Sequence, residues 1–284
     1  MAALAVPVAV RAAALTAARA DEVQAMRTAL ELAAGKDWDG ALRVAPAGAG
    51  RDVIEWQRLR AGEGLLGDYE AFLARRADWP GLPYLREKGE AAVARSTTPS
   101  RVISYFGGTA PETAEGALAL IAALQAAGRV AEAEEAAMRA WSSLPFSAEE
   151  EARMISLAGD SVALADELRL DRLLWEGRKA EAQRMLPRVG PGWQALTVAR
   201  LGLRADAKGV NALIAAVPKA QAGDPGLAYE RFIWRMKRDL YAEAVPLILE
   251  RSTSAAALGD PAAWAPRPSS PSSAPTGLSS SRSA

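Results

Sequence analysis

Only a few residue types in this sequence could carry acid–base or nucleophilic chemistry. The chain contains neither His nor Cys, which excludes imidazole bases, Ser-His-Asp triads, thiolate nucleophiles and zinc sites built from these ligands. Catalysis would therefore have to use carboxylates, Lys, Tyr or Ser. The densest carboxylates are three groups: Glu132 with Glu135, residues 149–151, and Asp166 with Glu167.

Each of these acidic groups lies beside a turn or at the start of a predicted helix. At such positions a carboxylate caps backbone amides or faces solvent. A general acid instead needs a raised pKa in a partly apolar cleft. We therefore predict no catalytic residue, no cofactor-binding residue and no metal ligand in this chain, and no cofactor.

Helix-start signals are frequent along the chain. Ser147 precedes Glu150 by three residues, and Thr109 precedes Glu112 by the same spacing. In a capping box the hydroxyl accepts from a free backbone amide while the Glu side chain reaches back to the cap residue. The sequence predicts that Ser147 and Thr109 each begin a helix.

The positions of the prolines and the lack of strand patterns also indicate helices. Pro83, Pro191 and Pro225 each precede or open an apolar run of helical period, where proline costs no backbone hydrogen bond. Alternating runs of β-branched and aromatic residues are almost missing, and Ala and Leu dominate the long segments. The sequence predicts an all-α fold.

The predicted helices come in pairs, and each pair is joined by a short Gly-containing turn that we call the elbow. Residues 124–133 are echoed by residues 173–182, with Gly128-Arg129 matching Gly177-Arg178. Gly supplies the left-handed cap of the first helix, and the small alanines allow the second helix to approach closely. Such αα-hairpins bury their apolar faces by stacking, so we expect a superhelical α-solenoid with an irregular repeat, similar to tetratricopeptide arrays but without their strict period.

The sequence contains eight tryptophans. One interpretation is that large rings fill the gaps between thin, Ala-rich helices. The other is that some rings stack on sugar faces along a groove. The tryptophans are Trp38, Trp56, Trp79, Trp141, Trp175, Trp193, Trp234 and Trp264.

Charge and hydropathy narrow the range of partners. Lys and Arg together number 34, as do Asp and Glu, so the formal net charge of the 284-residue chain is zero. Nucleic-acid binding usually requires a basic face, and we predict no nucleic-acid partner. The first twenty residues are apolar, but Arg11 interrupts them, and we predict no stable membrane span.

Those first twenty residues fit an export signal. Ala18-Arg19-Ala20 matches the small-x-small cleavage rule, which predicts cleavage after Ala20 and a periplasmic location. Two alternatives stay open: an N-terminal helix of the folded domain, and a cytoplasmic repeat protein without export. The domain boundaries that we predict are residues 1–20 for the signal peptide, 21–264 for the α-superhelical domain and 265–284 for a C-terminal tail.

The tail differs from the rest of the chain in composition. Residues 265–284 are rich in Ser and Pro and contain neither Asp nor Glu. Such a segment buries too little apolar surface to fold, so we predict disorder. It is either a native linker or tail, or the product of a reading-frame shift near codon 265 that truncates a longer protein.

The order of Trp, Pro and Gly landmarks resembles the N-terminal region of soluble lytic murein transglycosylases. It begins with Asp78-Trp79-Pro80-Gly81 and is most extensive at residues 224–235, which read DPGLAYERFIWR. The resemblance spans roughly residues 21–265. The other segments that carry it are residues 116–120, 128–129, 170–178, 184–187, 192–193, 249–252 and 261–264.

This resemblance implies a U-shaped or ring-forming superhelix that precedes a lysozyme-like catalytic domain. In that family, one Glu acts first as an acid and then as a base on the MurNAc–GlcNAc bond of peptidoglycan, and the product is an anhydro sugar. The family places this Glu directly before Ser, but no Glu precedes Ser in this chain, and Gly64-Leu65-Leu66-Gly67 lacks the Gln of the companion motif.

The sequence thus predicts the superhelical portion of a lytic-transglycosylase-like protein of peptidoglycan remodelling, truncated, without its catalytic domain and inactive alone. Its partner would be the peptidoglycan glycan strand. The alternative is a non-catalytic helical-repeat adaptor that binds a protein partner.

Overall fold

The computed structural model describes the backbone of residues 8–264 and the side chains of residues 19–264. Within that range every regular element is a helix and there is no strand, so the all-α prediction is confirmed. Residues 1–7 and the predicted tail, 265–284, lie outside the described residues. A single helix passes through Ala20, and the predicted cleavage there stays a prediction.

The helices fall into two compact units, divided between Ala165 and Asp166. The first unit contains α1 (Val8–Ala34), α2 (Trp38–Val44), α3 (Ala49–Arg60), α4 (Leu66–Arg75), α5 (Leu82–Val93), α6 (Pro99–Phe106), α7 (Ala114–Ala126), α8 (Val130–Ser143) and α9 (Ala148–Ala163). The second contains α10 (Asp166–Trp175), α11 (Lys179–Met185), the 3-10 helix Leu186–Arg188, α12 (Pro191–Arg204), α13 (Val210–Ala215), α14 (Pro225–Met236), α15 (Tyr241–Arg251), α16 (Ala255–Leu258) and α17 (Pro261–Trp264).

Hairpins are the building block of the first unit. Its odd-numbered helices α1, α3, α5, α7 and α9 form one row, in which each helix packs against the next member. The even-numbered helices return between them and pack mainly against their chain neighbours. Stacked αα-hairpins have this arrangement, whereas the superhelical path predicted for the whole chain stays a prediction.

Glycine forms the elbows where the repeated sequence predicts it. Gly128 follows α7 with φ of 73°, and Gly177 follows α10 with φ of 76°, both in the left-handed region. After α7, the amide of Arg129 donates to the carbonyl of Leu124 at 2.9 Å. After α10, the amide of Arg178 donates to the carbonyl of Leu173, also at 2.9 Å. These bonds satisfy carbonyls that the helix ends leave free. The predicted left-handed caps are thus confirmed at both elbows.

The capping predictions have mixed outcomes. Ser147 caps α9 as predicted: its hydroxyl accepts from the Glu150 amide at 3.2 Å, and the Glu150 carboxylate accepts from the Ser147 amide at 2.7 Å. The prediction for Thr109 is wrong. The cap of α7 is Thr113, whose hydroxyl accepts from the Gly116 amide at 3.0 Å, while the Thr109 hydroxyl bonds to the carbonyl of Phe106.

The first-turn prolines lie where the sequence predicts them. Pro83 is in the first turn of α5, and Pro191 and Pro225 open α12 and α14. Their missing amide hydrogens fall among the groups that have no partner inside a helix.

The second unit has its own apolar core between α12, α13 and α14. Leu196, Leu203 and Leu227 are almost fully buried, and Trp193 and Trp234 pack against them. Helices α10, α12 and α14 contact one another and form the row on which this core is built.

All eight tryptophans are buried or half-buried. Trp141 is fully buried, Trp79 makes edge contacts with Trp56 and Phe72, and Trp264 packs on Tyr229 with ring centroids 5.3 Å apart. These contacts favour the packing interpretation over sugar stacking.

Gly89 on α5 leaves room for two tyrosine side chains of the neighbouring helices. A Cβ at this position of α5 would lie 2.1 Å from Oη of Tyr105 and 3.0 Å from Cδ1 of Tyr69. Both rings are nearly buried, and the Tyr105 hydroxyl donates to the carbonyl of Arg86 at 2.8 Å. The substitution Gly89→Ala should therefore lower the free energy of unfolding by about 2 kcal/mol, because it displaces a packed ring and its hydrogen bond.

Urea unfolding followed by circular dichroism measures this loss. Gly159→Ala in α9 is the matched control, since the nearest side-chain atom to a Cβ there is 4.0 Å away, on Ile155. In open helical space Ala is favoured over Gly by about 1 kcal/mol or less. Equal effects of the two substitutions would contradict the close-packing argument.

Candidate functional site

The acidic groups found in the sequence form caps and ion pairs. Glu132 is exposed on α8 and accepts from Nε of Arg129 at 2.6 Å, while Glu135 pairs with Arg139 one turn later. The bond from Arg129 lowers the pKa of Glu132 below its usual value. A low pKa suits a surface ion pair and opposes a role as a general acid.

A carboxylate that the sequence did not single out, Glu90 on α5, has a raised pKa. Its side chain is almost fully buried, and burial raises the pKa although the bonds to it act in the opposite direction. The backbone amides of Glu112 and Thr113 donate to it at 2.8 and 2.9 Å, and the Thr113 hydroxyl donates at 2.6 Å. Glu90 therefore caps the N-terminus of α7 from the preceding hairpin.

Asp224 is the second carboxylate with a raised pKa. Burial is the main cause, and the neighbouring Arg200 offsets part of it. Oδ1 of Asp224 accepts from the Leu227 amide at 2.7 Å and lies 3.5 Å from Nη1 of Arg200, which is 2.6 Å from Asp171. Asp224 thus caps α14 and shares one buried guanidinium with a second carboxylate.

Both raised carboxyl groups are occupied by structural contacts. A general acid in a cleft must reach the oxygen of a leaving group, but Glu90 and Asp224 each direct oxygens at backbone amides of a helix start. Their pKa shifts depend on burial by residues distant in sequence, so no local motif could have identified them.

Other buried carboxylates bind arginines of neighbouring helices. Asp52 on α3 pairs with Arg75 and Arg76 at the end of α4. Burial raises the pKa of Asp52, but the bonds from the two arginines outweigh it, and the net pKa is lowered. In the second unit, Glu230 pairs with Arg204. These pairs fix helix against helix.

Among the residues that the structure describes, no group of three or more acidic side chains is arranged to hold a metal ion. None of the described helices combines the length and apolar character needed to cross a bilayer.

One cavity of about 300 Å³ lies between the α6–α7 loop and α8. Phe106, Leu120 and Leu124 form its apolar floor. The ion pairs Arg129–Glu132 and Arg139–Glu135 line its rim, so the charges there already compensate each other.

A longer depression runs across the odd-numbered row of the first unit, and we call it the arginine groove. It consists of three adjoining parts of about 260, 230 and 310 Å³. The first two share Ser96 and Thr97, and the last two share Leu118, Ala122 and Arg153. It extends from the start of α4 over the end of α5 and across α7 to α9. Its other lining residues are Leu65, Leu66, Ala92, Ala94, Arg95, Thr98, Pro99, Arg101, Val102, Glu115, Ala119, Ala123, Ser156 and Leu157.

Two of the three arginines in the groove have no ion-pair partner. Arg101 is held by both oxygens of Glu70. Arg95 and Arg153 are exposed, and within the residues that the structure describes neither forms an ion pair. Glu115 is the one carboxylate among the lining residues. Two unpaired arginines against one carboxylate leave the groove with a net positive charge. Sequence reasoning missed it because it singled out carboxylates.

Comparison with family models, with curated proteins and with solved structures found no match to the chain.

Proposed function

We propose that this chain is a non-catalytic binding module, the helical portion of a lytic-transglycosylase-like protein of peptidoglycan remodelling. The observation that carries the non-catalytic part is the environment of Glu90 and Asp224. Burial raises the pKa of both carboxyl groups, which is the direction that an acid catalyst requires, but both groups cap a helix. The ordered landmarks of the sequence support the link to peptidoglycan.

Those landmarks lie at structurally meaningful positions. Gly81 is the left-handed residue before α5, the Gly128 and Gly177 elbows end α7 and α10, and Asp224-Pro225 starts α14. Peptidoglycan lies outside the cytoplasmic membrane, so the proposal includes export to the periplasm with cleavage after Ala20.

The experiment combines binding and turnover on purified peptidoglycan sacculi. The full chain should co-sediment with sacculi and should release no anhydro-muropeptides into the supernatant. An unrelated helical protein of similar size and charge is the binding control. Absence of co-sedimentation would remove the peptidoglycan proposal, and turnover that one carboxylate substitution abolishes would show that the chain is catalytic.

A second candidate is an adaptor that binds a protein partner. The arginine groove favours it, because its uncompensated arginines and small apolar side chains suit a polypeptide. The two candidates differ in the ligand that the same row of helices would hold.

A further inference from the structure

We propose that the arginine groove binds an extended peptide segment of a partner protein, rich in acidic and small aliphatic side chains. This inference rests on the adaptor form of the proposed function. The charge, the floor, the lining chemistry and the length of the groove each fit this class of ligand.

The positive charge of the arginine groove favours an anionic ligand. Arg95 lies toward one end of the groove, in the turn that follows α5, and Arg153 lies toward the other end, on α9. Neither has a carboxylate partner in the described chain. The N-terminus of α6, at Pro99 between them, adds partial positive charge. Acidic side chains spaced along a strand would complement both arginines.

The floor selects small aliphatic side chains. Ala119 and Ala122 of α7 leave shallow apolar space beside Leu118. At the α4 end, Leu65 is 74% exposed although it is a large apolar residue in the groove wall. Covering these surfaces with methyl or isopropyl groups would remove apolar area from water.

The lining argues against a sugar chain as the ligand. Sugar faces are bound by stacking on aromatic rings, and none of the residues that line the three parts is aromatic. The hydroxyl groups of Ser96, Thr97 and Ser156 can instead donate to and accept from the amides of an extended backbone.

The length of the groove fits a short strand. It crosses α5, α7 and α9, and adjacent helices in a row are about 8–10 Å apart, which gives roughly 16–20 Å. An extended peptide advances about 3.3 Å per residue, so about five or six residues span it. Alternation of acidic and aliphatic residues would direct one type toward the arginines and the other toward the floor.

Fluorescence anisotropy with a labelled peptide of about ten alternating Glu and Ala residues tests the assignment. The full chain should bind this peptide at least about tenfold more tightly than a Lys-Ala peptide of the same length, because each Lys would face an arginine. Binding should weaken as salt increases from about 50 to 500 mM. Equal affinity for the two peptides, or no binding of the Glu-Ala peptide, would overturn the assignment.

Two pairs of variants locate the binding site. The double substitution of Arg95 and Arg153 by Gln should weaken Glu-Ala binding by about fivefold to tenfold, whereas Arg51→Gln, an exposed arginine of α3 outside the groove, should not. Ala122→Trp should fill the floor and abolish binding. Ala131→Trp should not, because Ala131 is an exposed alanine of α8, a helix that contributes no lining residue to the groove. Equal behaviour of the two Trp variants, with matching circular dichroism, would place the peptide elsewhere and overturn the assignment.

Two further measurements separate this inference from the peptidoglycan proposal. An oligomer of N-acetylglucosamine should not displace the Glu-Ala peptide, and displacement would assign the groove to glycan instead. If the chain sediments with sacculi but does not bind the Glu-Ala peptide, the peptidoglycan proposal stands and the groove assignment fails. If it binds the peptide and does not sediment with sacculi, the groove assignment stands and the peptidoglycan proposal fails.

Discussion

Replacement of Glu90 by alanine should lower the free energy of unfolding by roughly 3 kcal/mol. Glu90 receives hydrogen bonds from the amides of Glu112 and Thr113 and from the Thr113 hydroxyl, at 2.6–2.9 Å. Alanine leaves these donors without their acceptor at the start of α7 and opens a void where the side chain was buried. Urea unfolding followed by circular dichroism measures the change.

The matched control for this substitution is Glu87→Ala on the same helix. Glu87 is half-buried, and its nearest ion-pair partner, Lys88, is 3.6 Å away. Such a pair contributes about 1 kcal/mol or less. Glu90→Gln should lie between Glu90→Ala and the native protein, because it keeps one acceptor oxygen and places an amide donor against the Thr113 donors. A Glu90→Ala protein as stable as Glu87→Ala would contradict the capping role.

Replacement of Arg200 by methionine should destabilise the second unit by roughly 3 kcal/mol at neutral pH. Arg200 is almost fully buried, stacks over the Trp175 ring at 5.0 Å and contacts both Asp171 and Asp224. Methionine restores the apolar volume but leaves Asp224 buried without its cation. Lys208→Met is the control, because Lys208 is exposed between α12 and α13.

The same variant should show a defined pH dependence. Burial already holds the pKa of Asp224 above its usual value, and removal of Arg200 raises it further. When folding raises the pKa of a carboxyl group, the folded state holds the proton more tightly than the unfolded state. The free energy of unfolding therefore falls as the pH rises from the unfolded pKa through the folded pKa. The deficit of Arg200→Met should therefore be larger at pH 7 than at about pH 4. Unfolding free energies at both pH values decide this, and a larger deficit in acid would show that Asp224 is not the responsible group.

Much of the secondary structure could be predicted from the sequence because its signals are local. The elbows at Gly128 and Gly177 and the first-turn prolines of α5, α12 and α14 each depend on the conformational preference of one residue, and they lie where predicted. The helical class follows from the same signals, summed along the chain.

The cap of α7 could not be predicted in the same way. Thr109 has the spacing of a capping box with Glu112, yet the cap residue of α7 is Thr113 and the helix begins at Ala114. Glu90 determines the start of α7, because its buried carboxylate accepts hydrogen bonds from the amides of Glu112 and Thr113. A contact across 23 residues outweighs a local motif.

The candidate site was hidden for a related reason. The arginine groove is lined by side chains that lie between the start of α4 and α9. Each of its three parts combines residues from separate stretches of the chain. Within the described residues Arg95 and Arg153 form no ion pair, whereas Arg75 and Arg101 of the same unit do. Pairing is a property of the tertiary structure.

The cap that α5 supplies to α7 has a consequence for how this protein could change in evolution. Repeats that cap their own helices can be duplicated, deleted or exchanged independently, because each repeat contains all of its capping residues. Here Glu90 of one hairpin completes the next, and Gly116 must lack a side chain to admit it, because a Cβ there would lie 2.2 Å from Oε2 of Glu90. Removing the hairpin that contains α5, or inserting another after it, would separate Glu90 from the helix start that it caps. The two hairpins are therefore expected to be inherited together, as one unit of recombination.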